Sequence, residues 1–150
     1  MAAHVSQQVI DAFATTVTGL ATTGARVFKG RIHNLAATDL PALRIYDDSE
    51  EVVNEVITSL PYMQHRIISL TVEALVKENT ALDTTLNTIR KEIEVAVSNN
   101  STLSGVCKLH CFLKSADKQR DDSGDVPVGK LIMSWQAIVL TMNNAPDVAI

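Results

Sequence analysis

Two cysteines and a histidine lie close together in the segment Cys107-Lys108-Leu109-His110-Cys111. Thiolate and imidazole groups are preferred ligands of zinc, but a structural zinc site needs four such ligands. On the strand that the surrounding residues predict, Cys107 and Cys111 point to one face and His110 points to the other. The sequence supplies no obvious second pair of ligands. We therefore expect two buried, reduced thiols and no metal or other cofactor.

Four histidines are spread along the chain: His4, His33, His65 and His110. None accompanies a serine or cysteine nucleophile motif with a recognisable base or orienting carboxylate. Gly24 and Gly30 are too far apart for a phosphate-binding loop, and neither precedes a predicted helix. The sequence thus favours a protein without catalytic residues, although a triad built from distant residues stays open.

Acidic residues cluster at Asp47-Asp48 with Glu50-Glu51, and at Asp121-Asp122 with Asp125. Their carboxylates could hold a divalent cation, but the spacing of a calcium-binding loop is absent, so we expect solvated acidic turns. The net charge is −4 and aromatic residues make up 4% of the chain. Without a basic stripe or stacking residues, nucleic-acid binding is not expected. No apolar run is long enough to span a membrane.

The 150 residues predict one domain, 1–150, since no linker-like stretch divides them. Apolar residues at helical spacing predict a first helix over residues 4–21 and a second over Thr80–Ser98. Thr80 and Asp83 resemble a capping box at the start of the second helix, and Asn99-Asn100 can end it in a left-handed conformation.

Alternating apolar residues predict strands over 25–32, 42–46, 65–76, 106–115 and 130–142. Residues 47–51 are expected to break the pattern, and residues 52–61 fit a strand or a helical turn, with the strand favoured. Trp135 shares the buried face of the last strand. The sequence therefore predicts an α+β fold, in which a mostly antiparallel sheet of four to five strands packs against two helices.

The connection Ala116–Gly129 is rich in aspartate, and we expect it to be a long, mobile loop. Loops of this kind often become ordered against a partner, although a solvated hairpin tip is the alternative. Arg31 and Arg44 lie on or beside the first two strands. They either anchor an interface or are solvent-exposed residues at the sheet edge, and the exposed edge position is favoured. The candidate interaction residues are Arg31, Arg44, Lys118, Arg120, Asp121, Asp122 and Asp125.

Several short motifs in the first third of the chain occur in a characteristic order: Ile10-Asp11-Ala12, Thr23-Gly24-Ala25, Val27-Phe28-Lys29-Gly30-Arg31 and Asp39-Leu40-Pro41-Ala42-Leu43-Arg44-Ile45-Tyr46. In order and spacing they resemble the lambda-type minor tail protein U family, the tail terminators of long-tailed phages. Proteins of that family begin with a short helix, pass through a glycine-arginine strand and an aspartate-x-proline-alanine strand, and continue with a long strand and a second helix. The long acidic connection and the tail Asn143–Ile150 depart from the family pattern.

The resemblance implies a non-enzymatic virion protein that forms a ring, usually a hexamer, at the head-proximal end of the tail after assembly in the host cytoplasm. Such a ring ends polymerisation of the tail tube protein and joins the tail to the head-tail connector or neck protein. DNA passes through its channel without specific binding, and no membrane or cofactor is involved. A head-tail connector or neck ring protein is the first alternative, and a small cytosolic enzyme is the second.

Overall fold

The computed structural model describes residues 2–30, 39–121 and 126–150. In chain order, its elements are α1 (Val5–Thr16), β1 (Val27–Lys29), β2 (Ala42–Asn54), β3 (Met63–Lys77), α2 (Leu82–Asn99), β4 (Phe112–Asp121) and β5 (Val128–Met142). The strands form a sheet in the order β1-β2-β3-β5-β4. β1 runs parallel to β2, and every other neighbouring pair is antiparallel. The predicted α+β fold is therefore confirmed.

The two central strands, β3 and β5, bury one of their faces beneath the helices. Alternate residues on β3, from Ile68 to Val76, are buried together with alternate residues on β5, from Leu131 to Val139. They form one cluster with the apolar stripes of α1 and α2. Phe13 of α1 meets Trp135 of β5 edge to face, with ring centroids 5.7 Å apart. The prediction that Trp135 is a core residue is confirmed.

The opposite side of the sheet is here called the open face, because neither helix lies on it in the described part of the chain. It carries the intervening side chains of β3 and β5, since successive side chains on a strand point to opposite sides. On β5 all of these are partly exposed, whereas the core-facing residues are buried. Its central residues are His65, Ile67, Ser69, Thr71, Glu73, Leu75, Lys130, Ile132, Ser134, Gln136, Ile138 and Leu140.

The residues of the acidic segment 47–51 do not end β2, contrary to the prediction. They are exposed, but the strand continues to Asn54 because its backbone stays paired with β3, with a bulge between Asp47 and Ser49. The strand assignment for residues 52–61 is correct only as far as Asn54. Residues 55–61 form most of the connection to β3.

The fourth strand lies six residues further along the chain than predicted. Residues 106–111 form no strand, and β4 pairs with β5 from Phe112↔Gln136 to Asp121↔Val128. The predicted loop over 116–129 is thus wrong at 116–121 and 128–129, because backbone pairing with the long strand β5 orders these polar residues. Residues 122–125 lie outside the described residues, so loop mobility there stays a prediction.

Both helices are shorter at one end than their apolar patterns predict. α1 stops at Thr16, and Gly19 (φ 88°) then turns the chain, its N–H donating to the Gly24 carbonyl at 2.8 Å. α2 begins at Leu82 without a side-chain cap, so the capping box is wrong. The helix ends at Asn99 as expected, but Asn100 has a φ of −141° and is not left-handed.

Candidate interaction surfaces

Arg44, one of the predicted interaction residues, lies on the open face. It is directly opposite Glu73 in the pairing of β2 with β3. Its Nε donates to Glu73 Oε2 at 2.8 Å, and its Nη2 contacts the same oxygen. The Tyr46 hydroxyl donates to Glu73 Oε1 at 2.9 Å, and Lys130 Nζ lies 3.9 Å from that atom. The guanidinium group is therefore engaged within the subunit.

Two opposing effects act on the Glu73 carboxyl group. Burial alone would raise its pKa, but hydrogen bonds from Arg44 and Tyr46, with the positive charges of Arg44 and Lys130, hold the pKa below its usual range. Glu73 is therefore ionised at neutral pH and acts as an acceptor. A general acid would instead need a raised pKa. This cluster consequently stabilises the sheet and has no feature of a catalytic acid.

Three further candidate residues, Lys118, Arg120 and Asp121, lie on β4 at the edge of the sheet. The Arg120 guanidinium group donates to Asp83 Oδ1 of α2 through Nη2 at 2.6 Å and Nε at 3.0 Å. Both side chains are more than half exposed. Arg31, Asp122 and Asp125 lie outside the described residues, so their interaction roles stay predictions. Arg44 on β2 therefore lies apart from the candidate residues on β4.

A second charged segment of the sheet, Asp47–Glu51 on β2, was predicted as an exposed turn rather than as part of a strand. Glu50 Oε1 accepts a hydrogen bond from Arg66 Nη1 at 3.1 Å. Arg66 is buried beneath it and also donates to Thr141 Oγ1 at 2.9 Å. Asp47 and Glu51 have no ion-pair partner among the described residues. This end of β2 thus presents negative charge to solvent.

Beyond this segment, the connection between β2 and β3 exposes large apolar side chains that were not predicted as interaction residues. Val56, Ile57 and Leu60 are 74%, 64% and 77% exposed. Beside it, a shallow, mostly apolar hollow on the open face is lined by Val53, Glu55, His65, Ile67, Leu109 and Ile138. The apolar residues in segment 52–61 could have indicated this exposed surface, but they were interpreted as residues of a strand.

Cys107 and Cys111 are both buried, as predicted, but they lie in irregular structure before β4 and not on a strand. Burial raises the pKa of Cys107 to about 11. Burial, together with the neighbouring Cys107, raises that of Cys111 to about 12. Both groups are therefore neutral thiols at physiological pH, which makes them weak nucleophiles. The exposed His110 instead pairs its Nδ1 with Ser101 Oγ at 2.6 Å.

Residues 2–30, 39–121 and 126–150 contain no group of three histidine, cysteine or carboxylate side chains that could hold a metal ion. Within the same ranges, no helix combines the length and apolar character needed to cross a bilayer.

Comparison with known proteins gives a likeness only among solved structures. No protein-family model matches the chain, and no curated protein matches it. Among solved structures, a chain from the virion of a native gene transfer agent particle aligns with a TM-score of 0.43 and 13% sequence identity, covering 92% of each chain. A likeness at this level assigns neither a family nor a function.

Proposed function

We propose that this chain is a non-enzymatic structural subunit of a phage-like virion, and that it acts as a tail terminator. In this role, copies of the chain form a ring on the head-proximal end of the tail tube, and the family resemblance implies a hexamer. The ring ends polymerisation of the tube protein and offers its other side to the connector or neck. DNA passes through the ring without specific binding.

The observation that carries the proposal is the way two of the family-like motifs pack together. Val27–Lys29 forms β1, and Asp39-Leu40-Pro41 leads directly into β2. These strands are parallel neighbours, with Val27 opposite Leu43. The motifs are therefore parts of one structural unit, followed by the long strand and second helix that the resemblance implies.

Surface charge is consistent with this proposal. The chain carries 17 acidic and 13 basic residues, so a ring of several copies would be strongly acidic. Positive side chains that neutralise phosphates are the main source of non-specific DNA affinity. A channel poor in such side chains lets DNA slide without being retained.

The proposal is tested with tail tubes of the phage or prophage that encodes the chain. Purified protein is added to polymerising tube protein, and tube length and tube ends are measured by negative-stain electron microscopy. We expect shorter tubes with a ring of extra density at one end, and sedimentation of the protein with the tubes. Tubes of unchanged length without bound protein would contradict the tail-terminator proposal.

The same preparation separates the alternative functions. Binding to DNA-filled heads without any effect on tube length would favour a connector or neck ring protein. A protein that stays monomeric and binds neither heads nor tubes would contradict a structural role in the virion.

A further inference from the structure

The two edges of the sheet differ from each other and both are exposed. At one edge, β4 is the outermost strand, and most of its residues are exposed. At the other, β1 pairs only with Leu43–Ile45, and β2 is exposed from Asp47 to Asn54. An exposed strand edge presents backbone N–H and C=O groups that can pair with another strand. We call Asp47–Asn54 the acidic edge and Phe112–Asp121 the basic edge.

Charge distinguishes the two edges. The acidic edge contains four carboxylates and no basic residue: Asp47, Asp48, Glu50 and Glu51. The basic edge contains three basic residues, Lys114, Lys118 and Arg120, and two aspartates, Asp117 and Asp121. Two acidic edges would therefore repel each other, and two basic edges would gain no electrostatic attraction. The acidic edge of one copy, by contrast, attracts the basic edge of another.

Side-chain direction makes the attraction specific to one side of the sheet. Asp47 and Glu50 lie opposite Leu70 and Ile68, which face the helices. Lys118 likewise lies opposite Leu131, another core-facing residue. If a second subunit continued the sheet, Asp47 and Glu50 of that subunit and Lys118 of the first would therefore project on the same side of the sheet, the side that carries the helices. β2 and β4 run in opposite directions within one subunit, so the new pair would be antiparallel.

We propose that the basic edge of one copy pairs with the acidic edge of a second copy of this chain. The inference rests on the proposed ring, whose subunit contact it specifies. Because the contact joins two different surfaces, it can repeat around a ring until the last copy meets the first. Each subunit then uses both edges, and the exposed backbone groups of both gain partners.

Charge reversal tests the contact. Asp47 and Lys118 are exposed and have no ion-pair partner among the described residues, so changing them breaks no such pair within the subunit. We expect Asp47→Lys and Lys118→Asp each to weaken self-association about tenfold or more, because like charges then meet across the interface. The double variant restores opposite charges and should return to within about threefold of the original affinity. Lys91→Glu, on the exposed side of α2, is the control and should change nothing.

Cysteine cross-linking provides a second test that does not depend on affinity. Within one subunit, β3 and β5 separate β2 from β4, so positions 47 and 118 are about 14 Å apart or more. This exceeds the roughly 7 Å limit between Cα atoms for a disulfide. Oxidation of the Asp47→Cys, Lys118→Cys double variant should therefore give a ladder of covalent oligomers that ends at the ring size. The unchanged chain, whose own cysteines are buried, should give none.

The outcomes distinguish the two proposals. Rings that form normally with either reversal, and give no cross-linked ladder, would overturn the edge contact and leave the proposed function intact. Failure of the chain to associate with itself, with or without tail tubes, would overturn both. A ladder, together with recovery of association in the charge-swapped double variant, would establish the contact.

Discussion

Arg44 and Glu73 face each other across β2 and β3, on the side of the sheet that the helices leave open. Their side chains are only 16% and 8% exposed. The carboxylate also accepts a hydrogen bond from Tyr46 and lies near Lys130, so its charge is surrounded by donors. Such a pair is stable as long as both partners remain, because either charge alone would be buried without compensation.

Glu73→Gln should therefore lower the free energy of unfolding by about 3–5 kcal/mol. Chemical denaturation measures the change. Glu51→Gln, on the exposed part of β2, is the matched control and should change stability by less than about 0.5 kcal/mol. Combining Glu73→Leu with Arg44→Met should cost less than Glu73→Leu alone, since the orphaned charge is then removed as well. Equal losses for Glu73→Gln and Glu51→Gln would contradict the account of the pair.

The same carboxylate makes stability depend on pH in the acidic range. The pKa of Glu73 is lower in the folded chain than its usual value of 4.5. Its contribution to stability is therefore complete above about pH 4.5 and is lost as the pH falls through the lowered folded pKa. We expect the unfolding free energy of the original chain to fall more steeply with acidification below pH 4.5 than that of Glu73→Gln. Parallel curves for the two proteins would refute this prediction.

The apolar stripe of α2 should dominate the attachment of that helix. Leu86 and Ile89 are fully buried, whereas Val95 on the same helix is 52% exposed. Leu86→Ala and Ile89→Ala should each reduce the unfolding free energy by about 2–5 kcal/mol, through lost burial and the cavity left behind. Val95→Ala, as a control, should cost less than about 1 kcal/mol. Urea denaturation of the three variants provides the comparison, and similar losses in all of them would contradict the assigned helix face.

The parts of the fold that could be predicted are those whose sequence pattern reflects burial. β3, β5 and α2 each have one side in the core, so apolar residues recur at strand or helix spacing and identify the elements. β4 carries no such signal, because its residues Lys114 to Asp121 are mostly polar and it is an edge strand exposed on both faces. Backbone pairing with β5 holds it in place, and backbone pairing leaves little trace in side-chain type.

The surface contacts were harder to predict for a related reason. Arg44 was recognised as a charge on or beside a strand, but its partner Glu73 is identified only by the register of β2 with β3. The bulge between Asp47 and Ser49 shifts that register for the acidic edge. The pairing of each strand with its neighbour therefore determines on which side of the sheet Asp47 and Lys118 lie. The sequence of either segment alone could not predict it.

The contact between β5 and the start of α2 leads to a last prediction, at Gly129. A methyl group added there would lie 2.7 Å from Leu82 Cδ1, 2.9 Å from Leu82 Cγ and 3.0 Å from Leu86 Cδ1. These distances are shorter than van der Waals contact, so in Gly129→Ala the side chains of Leu82 and Leu86 must shift. Overpacking of this kind costs about 1–3 kcal/mol.

Replacing glycine by alanine also restricts the unfolded chain, which by itself stabilises a protein by about 0.4–1 kcal/mol. We therefore expect Gly129→Ala to be destabilising in the original chain, because the clash outweighs this gain. In a Leu82→Ala background most of the clash is absent, and the same substitution should be neutral or slightly stabilising. Urea denaturation of the two single variants and the double variant gives the coupling between the positions. If Gly129→Ala has the same effect in both backgrounds, then Leu82 does not pack against Gly129 as the structure shows.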